Sequence, residues 1–343
     1  MEGWNMTRGG IIKFDKTLFR EVLRKFEAAG ISRRFIGTYV LPGWWDDGML
    51  STESGTEHGL AYLSSFFNIP MVRLLEDPDL RDQGTVAVSY KKRADSPDES
   101  LNRATLLGLW TARLVASACR IPYSGLPTDG SLVYRELSRG KENGIGLSDL
   151  VEYAWRHGIP VVRLTPPRTG NHPDGLCTVV DGRPAIILMK KQNSCAWQEF
   201  ILAHELGHAA LGHVFRDAAG TMIDNLSGDI SREVVEDEAS RWGCAALSGN
   251  PLTDMSAVWN ERPDTGKDLS LMAFREAGRK NIDPGFLILN YARGIRDFRL
   301  GNSALMNLDD RYAFTILDEA LRSNIAEEDM AREYWDRLGQ LQS

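Results

Sequence analysis

The stretch from Glu199 to Val214, EFILAHELGHAALGHV, contains the motif H-E-x-x-H, with histidines at positions 204 and 208. Apolar residues on both sides of the motif have the spacing of a mostly buried helix. Residues four apart on a helix lie about 40° apart and one turn displaced, so His204 and His208 can bind one metal ion from the same face. Glu205 flanks that face, where its carboxylate can reach a water molecule without binding the metal itself. Two fixed nitrogen ligands, an open coordination position and an adjacent base are what metal-assisted hydrolysis requires.

A structural role for these residues is the alternative interpretation. The chain has 6 histidines in 343 residues, and a chance match to this short motif is expected in on the order of one such chain in a hundred. Two histidines and a glutamate in a buried helix are costly unless something pairs with them. The sequence therefore favours a metal site at His204 and His208 over buried structural polar groups.

The composition of the whole chain is that of an ordinary soluble globular protein, with 43% apolar and 25% charged residues. A net charge of −7 argues against general affinity for nucleic acid or anionic membranes. The N-terminus lacks the layout of a signal peptide, and no apolar run has the length of a membrane span. The four cysteines contain no C-x-x-C pair and indicate reduced thiols. We expect a cytoplasmic protein with no membrane partner.

The chain is expected to have three parts. Residues 1–125 predict a mostly helical N-terminal domain, because residues 14–29 already show the apolar spacing of an amphipathic helix. The segment 121–130, IPYSGLPTDG, is rich in proline and glycine and is the most natural domain boundary. Residues 126–295 form the domain that carries the motif, and residues 296–343 add C-terminal helices.

A small sheet is expected beside the H-E-x-x-H helix. Residues 159–164 have the composition of a strand, and two short strands at 177–180 and 185–189 are joined by Asp181-Gly182, a strong hairpin signal. An exposed edge of such a hairpin could hold an extended peptide by main-chain hydrogen bonds. The alternative is that the hairpin only covers the core. Helices combined with a small sheet predict the α+β class.

A third metal ligand is needed, because zinc hydrolases usually take three from the protein. His213 lies nine residues after His204, on the opposite side of a continuing helix, and is interpreted as a structural or supporting residue. Residues 231–247, SREVVEDEASRWGCAAL, predict a following helix whose acids are more promising. Its acidic residues are Glu233, Glu236, Asp237 and Glu238. The residues alone do not choose among these four, each of which could equally be an ordinary acid in the first turns of a helix.

The two segments together resemble the ImmA/IrrE family of zinc metallopeptidases. After the H-E-x-x-H motif, residues 236–243 read EDEASRWG, and the second motif of that family looks like E-x-x-A-N-x-F-A. The departures from that pattern are Ser240 for Asn, Trp242 for Phe and Gly243 for Ala. The resemblance covers about residues 147–291. It implies a zincin-like metallopeptidase domain, with Glu236 as the third zinc ligand.

The resemblance also implies a function. Members of this family are bacterial and phage regulators that cleave a transcriptional repressor, typically a helix-turn-helix protein, in a stress response. This chain is then expected to be a cytoplasmic Zn²⁺-dependent endopeptidase with Glu205 as general base. Several members carry their own helix-turn-helix domain, and residues 11–80 look like a degenerate one. An excess of basic residues between Lys13 and Arg34 could contact DNA, although a solvated helix face is the alternative.

Two other functions stay open at this point. The first is a DNA- or protein-binding regulator in which the zinc site is structural. The second is a zinc hydrolase of a non-peptide substrate, since the same chemistry can act on other carbonyl groups.

Overall fold

The structure is a computed structural model, and it divides the chain into two compact units, residues 1–110 and 111–343. It describes residues 14–84, 99–165, 172–216, 230–252, 262–308 and 311–342, together with three two-residue strands at 6–7, 10–11 and 221–222. The division falls inside a helix, Glu99–Ala118. The proline- and glycine-rich segment that predicts a boundary after residue 125 lies within the second unit.

The first unit is helical. Its elements are strands β1 (Met6–Thr7) and β2 (Gly10–Ile11), helices α1 (Lys16–Ala28), α2 (Arg33–Phe35), α3 (Glu53–Phe67) and α4 (Met71–Glu76), and the first part of α5 (Glu99–Ala118). A π-helical turn, Ile36–Val40, follows α2, and a 3-10 turn, Asp47–Ser51, precedes α3. The helix predicted over residues 14–29 is confirmed: the Asp15 side chain accepts hydrogen bonds from two backbone amides of its first turn. Gly30 follows it with a φ of 86°, where a side chain would be strained.

The second unit holds ten helices in its described ranges. They are α6 (Gly130–Leu137), α7 (Leu147–Arg156), α8 (Cys195–Ala210), α9 (His213–Arg216), α10 (Ile230–Ser248), α11 (Gly266–Lys280), α12 (Pro284–Gly294), α13 (Phe298–Leu305), α14 (Ala313–Asn324) and α15 (Arg332–Gln342). The motif-bearing helix and the acidic helix predicted after it are α8 and α10. A 3-10 turn, Glu327–Asp329, lies between α14 and α15. In the part of the chain that the structure describes, no helix combines the length and the apolar character needed to cross a bilayer.

One four-stranded sheet accompanies these helices. Its strands are β3 (Val161–Arg163), β4 (Gly175–Val180), β5 (Arg183–Leu188) and β6 (Thr221–Met222), in the order β3-β5-β4-β6. The predicted hairpin is confirmed as β4 and β5, which pair antiparallel around Asp181 and Gly182. Both turn residues have positive φ, 50° and 79°, as a two-residue hairpin turn of this type requires.

The outer edges of the hairpin both carry partners. β3 pairs with β5 in parallel, and β6 pairs with β4 antiparallel at Cys177 and Thr178. The hairpin is therefore the centre of the sheet. The paired parts of its two edges are occupied by β3 and β6 and are not open to an extended peptide. In the described residues the chain is mostly helical with a small mixed sheet and the two-stranded pair β1-β2, which is compatible with the predicted α+β class.

α8 occupies the middle of the second unit. It packs against β4 and β5 on one side and against α7, α10 and α12 on the others. A helix enclosed in this way must be apolar around most of its circumference, which the sequence of α8 satisfies. The H-E-x-x-H motif is therefore held on a helix that other elements enclose on several sides.

Candidate metal centre

α8 keeps most of the motif away from solvent. The helix begins at Cys195, where the Ser194 side chain accepts a hydrogen bond of 3.3 Å from the Trp197 backbone N–H. Between residues 196 and 209 every residue is buried except Phe200 and His204. Glu205 and His208 are 3% and 1% exposed, respectively. His204 therefore forms the accessible side of the motif, and the other two residues face the interior.

Small residues allow α8 and α10 to approach each other closely. A Cβ on Gly207 of α8 would lie 2.6 Å from the Ala239 carbonyl oxygen of α10. A Cβ on Gly243 of α10 would lie 3.0 Å from the Ala203 carbonyl carbon of α8. The pairs Ala203/Gly207 and Ala239/Gly243 are each four apart and so lie on one face of their helix. This close packing brings the acids of α10 within reach of the histidines of α8.

His204, His208 and Glu236 form one compact cluster. The Nε2 atoms of the two histidines are 3.0 Å apart, and Glu236 Oε2 lies 3.1 Å from His204 Nε2 and 3.7 Å from His208 Nε2. Ligand atoms held 2.0–2.1 Å from a tetrahedral zinc ion lie about 3.3 Å from one another. The cluster has the size of one face of such a tetrahedron, and its two imidazoles and one carboxylate can hold a metal ion.

The remaining acids of α10 have other partners or face solvent. Asp237 forms an ion pair with Arg241 at 2.6 Å, and Glu238 lies 3.1 Å from His213. Glu233 is exposed. The structure thus selects one acid where the sequence left four open, and it is Glu236, the acid that the family resemblance implies.

His213 does not lie where a continuing helix would place it. α8 ends at Ala210, and Gly212 has a φ of 72°, so the chain reverses before α9 begins at His213. This reversal brings His213 Nδ1 to 3.0 Å from His208 Nδ1. The assumption that His213 points to the opposite face is wrong, because it depended on an unbroken helix. A supporting rather than ligating position agrees with the prediction.

The His204 ring also has a partner on its second nitrogen. Its Nδ1 lies 3.2 Å from the Ser240 hydroxyl, which accepts a further hydrogen bond of 3.3 Å from the Arg293 guanidinium. Ser240 stands where the family pattern has Asn, and a hydroxyl at this place still meets the histidine. The departure therefore leaves the cluster intact.

Glu205 lies against the main chain of β4. A Cβ on Gly175, the first residue of β4, would overlap the Glu205 Oε1 atom and lie 2.8 Å from Ile201 Cγ2. Only glycine lets the strand pass this close to the carboxylate. Strand β4 therefore forms one wall of the space beside Glu205.

The cysteines contribute no ligand to this cluster. None of the four is in a disulfide bond, as the sequence predicts. Cys244 lies near His204 in a small apolar recess with Phe200 and Phe286. Burial raises the pKa of the Cys244 thiol to about 11, so it is protonated and chemically inert at neutral pH.

The sequence does not predict three features of this centre. They are the glycine at 175, the support of His204 by Ser240 and Arg293, and the close packing of α8 on α10. Only the last had a signal, since small residues recur four apart in both segments. No family model, curated protein or solved structure matches this chain. The resemblance to the ImmA/IrrE family therefore rests on the two motifs, and the activity that it implies stays a proposal.

Proposed function

We propose that this protein is a zinc-dependent endopeptidase with a zincin-like catalytic domain. The observation that carries the proposal is the cluster of His204, His208 and Glu236, whose ligand atoms lie 3.0–3.7 Å apart. Bound there, Zn²⁺ would supply positive charge that lowers the pKa of a neighbouring water and polarises a peptide carbonyl. Two neutral imidazoles and one carboxylate also leave the bound ion with a net positive charge, which this chemistry needs.

Glu205 is the general base in this proposal. Glu205 follows the ligand His204 on α8, on the helix that also carries His208. Gly175 leaves room for its carboxylate beside β4. Burial keeps bulk water from competing for the carboxylate. Glu205 accepts the proton of the attacking water and returns it to the leaving amine, so that its own charge is restored after each cycle.

The substrate is the part of the proposal with separate support. The geometry supports hydrolysis of a carbonyl compound, and the resemblance of the two motifs supports a protein substrate, specifically a helix-turn-helix transcriptional repressor in a stress or phage-related response. The cytoplasm is where such a repressor acts, which agrees with the cysteine usage. Direct DNA binding by the first unit is not required for this function.

The test is a comparison of the zinc-loaded protein with its Glu205→Gln variant. Each is incubated with a panel of purified helix-turn-helix repressors, and new N-termini are identified by mass spectrometry. We expect cleavage by the wild type, and a rate lower by roughly 10²–10⁴-fold in Glu205→Gln because the base is lost. Elemental analysis should show equal zinc in both, since Glu205 is not a ligand.

Two results would contradict the proposal. Equal cleavage by wild type and Glu205→Gln would remove Glu205 from the reaction. Zinc retention without cleavage of any panel member or of a peptide library would favour the structural-zinc regulator. Hydrolysis of non-peptide esters or amides alone would instead favour the third function considered from the sequence.

A further inference from the structure

Behind His208, on the side away from the metal cluster, two side chains continue the line of contacts. His208 Nδ1 lies 3.0 Å from His213 Nδ1, and His213 Nε2 lies 3.1 Å from Glu238 Oε2. The side chain of His213 is 1% exposed, whereas that of Glu238 is 51% exposed. The contacts thus run from the surface of α10 through α9 to a ligand on α8.

Hydrogen positions along this line follow from the donors and acceptors available. A carboxylate only accepts, so the proton between Glu238 and His213 must be on His213 Nε2. A neutral His213 then has a bare Nδ1, which can only accept a hydrogen bond. The proton between the two rings is therefore on His208 Nδ1. His208 Nε2 is left with a lone pair, directed at the cluster with His204 and Glu236.

The opposite assignment is incompatible with metal binding. If His208 Nδ1 were the acceptor, the proton of a neutral His208 would be on Nε2, where the metal binds. Metal ligation by histidine depends on the partner of the second ring nitrogen, which fixes both tautomer and ring orientation. Here the partner is a second histidine, which by itself could donate or accept. Only the carboxylate of Glu238 makes it an acceptor.

We propose that Glu238 and His213 are positioning residues that hold His208 in its metal-binding tautomer. This inference rests on the metal centre of the proposed function. It assigns a task to a histidine that is not a ligand and to an acid two residues beyond the ligand Glu236. Both act through His208, and neither belongs to the cluster of His204, His208 and Glu236.

The other ligand histidine provides an internal reference. His204 Nδ1 meets the Ser240 hydroxyl, a neutral group that can rotate to donate or accept. Ser240 also accepts a hydrogen bond from Arg293, so no carboxylate takes part in this contact. Loss of the Ser240 hydroxyl should therefore weaken metal binding less than loss of the His213 ring nitrogens.

The experiment measures the zinc affinity of the full-length protein by competition with a chromophoric chelator. In His213→Phe the ring volume is kept and both nitrogens are lost, and we expect the Kd for zinc to rise by roughly 10- to 100-fold. In His213→Asn the side-chain oxygen can accept at the place of Nδ1, and we expect most of the affinity to return. Ser240→Ala should raise the Kd by less than His213→Phe.

Glu238→Ala is the second variant, because it removes a side chain that is 51% exposed and leaves the buried histidine in place. We expect the Kd for zinc to rise by roughly tenfold, which is less than full loss of the histidine could cause, since the carboxylate is half exposed and solvent screens it. Asp237→Asn is the matched control on the same turn of α10 and should leave the Kd within about twofold. Thermal unfolding of each metal-free variant shows whether it folds. If His213→Phe does not fold, the zinc affinity of Glu238→Ala tests the positioning role.

The outcomes separate this inference from the proposed function. Wild-type affinity in both His213→Phe and Glu238→Ala would overturn the positioning role while leaving the metal centre in place. Equal losses in His213→Phe and His213→Asn would overturn it too, because packing and not the acceptor would then be what matters. A wild type that binds no zinc would overturn both. Zinc binding without cleavage would overturn the peptidase alone, and the affinity series would still decide the role of His213.

Discussion

α8 and α10 together supply His204, His208 and Glu236, the group that can hold a metal ion, yet they are very different helices. α8 is buried from residue 196 to 209 except at Phe200 and His204. α10 is exposed at Glu233, Val234, Asp237 and Glu238, and then buried from residue 239 to 247 except at Arg241. His204 lies where the enclosed helix opens, and His208 lies one turn further along α8 and is buried. Glu236 lies where the exposed half of α10 meets its buried half.

This difference explains why the sequence identifies the cluster residues of α8 but not the cluster residue of α10. On α8 a polar residue in an apolar stretch is conspicuous, because burial of His204, Glu205 and His208 needs a compensating partner. On α10 four acids stand in a half-exposed stretch where acids are ordinary. A ligand is thus recognised by contrast with its surroundings, and α10 provides little contrast.

The largest expected effect concerns the ligand from α10. Glu236→Ala removes one of the three ligand groups, and the Kd for zinc should rise by roughly a thousandfold, because site free energies of about 10–16 kcal/mol are shared among the ligands. Glu233→Ala is the control, since it removes an exposed acid from the same helix. Elemental analysis after dialysis against a chelator measures the difference. Full zinc retention in Glu236→Ala would mean that the ligand lies elsewhere.

An intermediate effect is expected at the contact between the two helices. Gly207→Ala places a Cβ 2.6 Å from the Ala239 carbonyl oxygen, so the backbones must separate, and the free energy of unfolding should fall by about 1–3 kcal/mol. Gly278→Ala on α11 has nothing within 4 Å of the new Cβ, and it should be stabilising by about 0.5–1 kcal/mol. Urea unfolding of both variants measures the contrast. Stabilisation by both would show that the close approach of α8 and α10 is not a constraint.

The smallest effect is expected on the exposed side of α10. Asp237→Ala breaks the ion pair with Arg241. The arginine side chain is 61% exposed and the aspartate side chain is 51% exposed. Solvent screens such pairs, so the free energy of unfolding should change by about 0.5 kcal/mol or less, and zinc affinity should stay as in the wild type. Urea unfolding and chelator competition check both quantities. A clear loss of zinc affinity would place Asp237 in the centre, against the structure.

Elements with strong local signals were predicted well. Residues 231–247 predict a helix, and α10 extends over Ile230–Ser248. The Asp181-Gly182 turn predicts a hairpin, and β4 and β5 form it there. Helices α6 and α13 have eight residues each and were missed, because short helices are stabilised by packing more than by their own sequence. Strand β6 was also missed, since two residues form a strand only by pairing with β4.

The sequence by itself determined the pair of histidines, the glutamate between them and the helix that carries them. These depend on a four-residue spacing and on the apolar pattern around it, which are local properties of the chain. The tertiary structure alone decided which acid of α10 joins the histidines, and it turned His213 back onto His208. Both depend on the path of the chain between segments, on a glycine at 212 that ends one helix and on a glycine at 207 that admits the other. The distance between two helices is set by how they pack against each other, and the spacing of residues within either helix does not determine it.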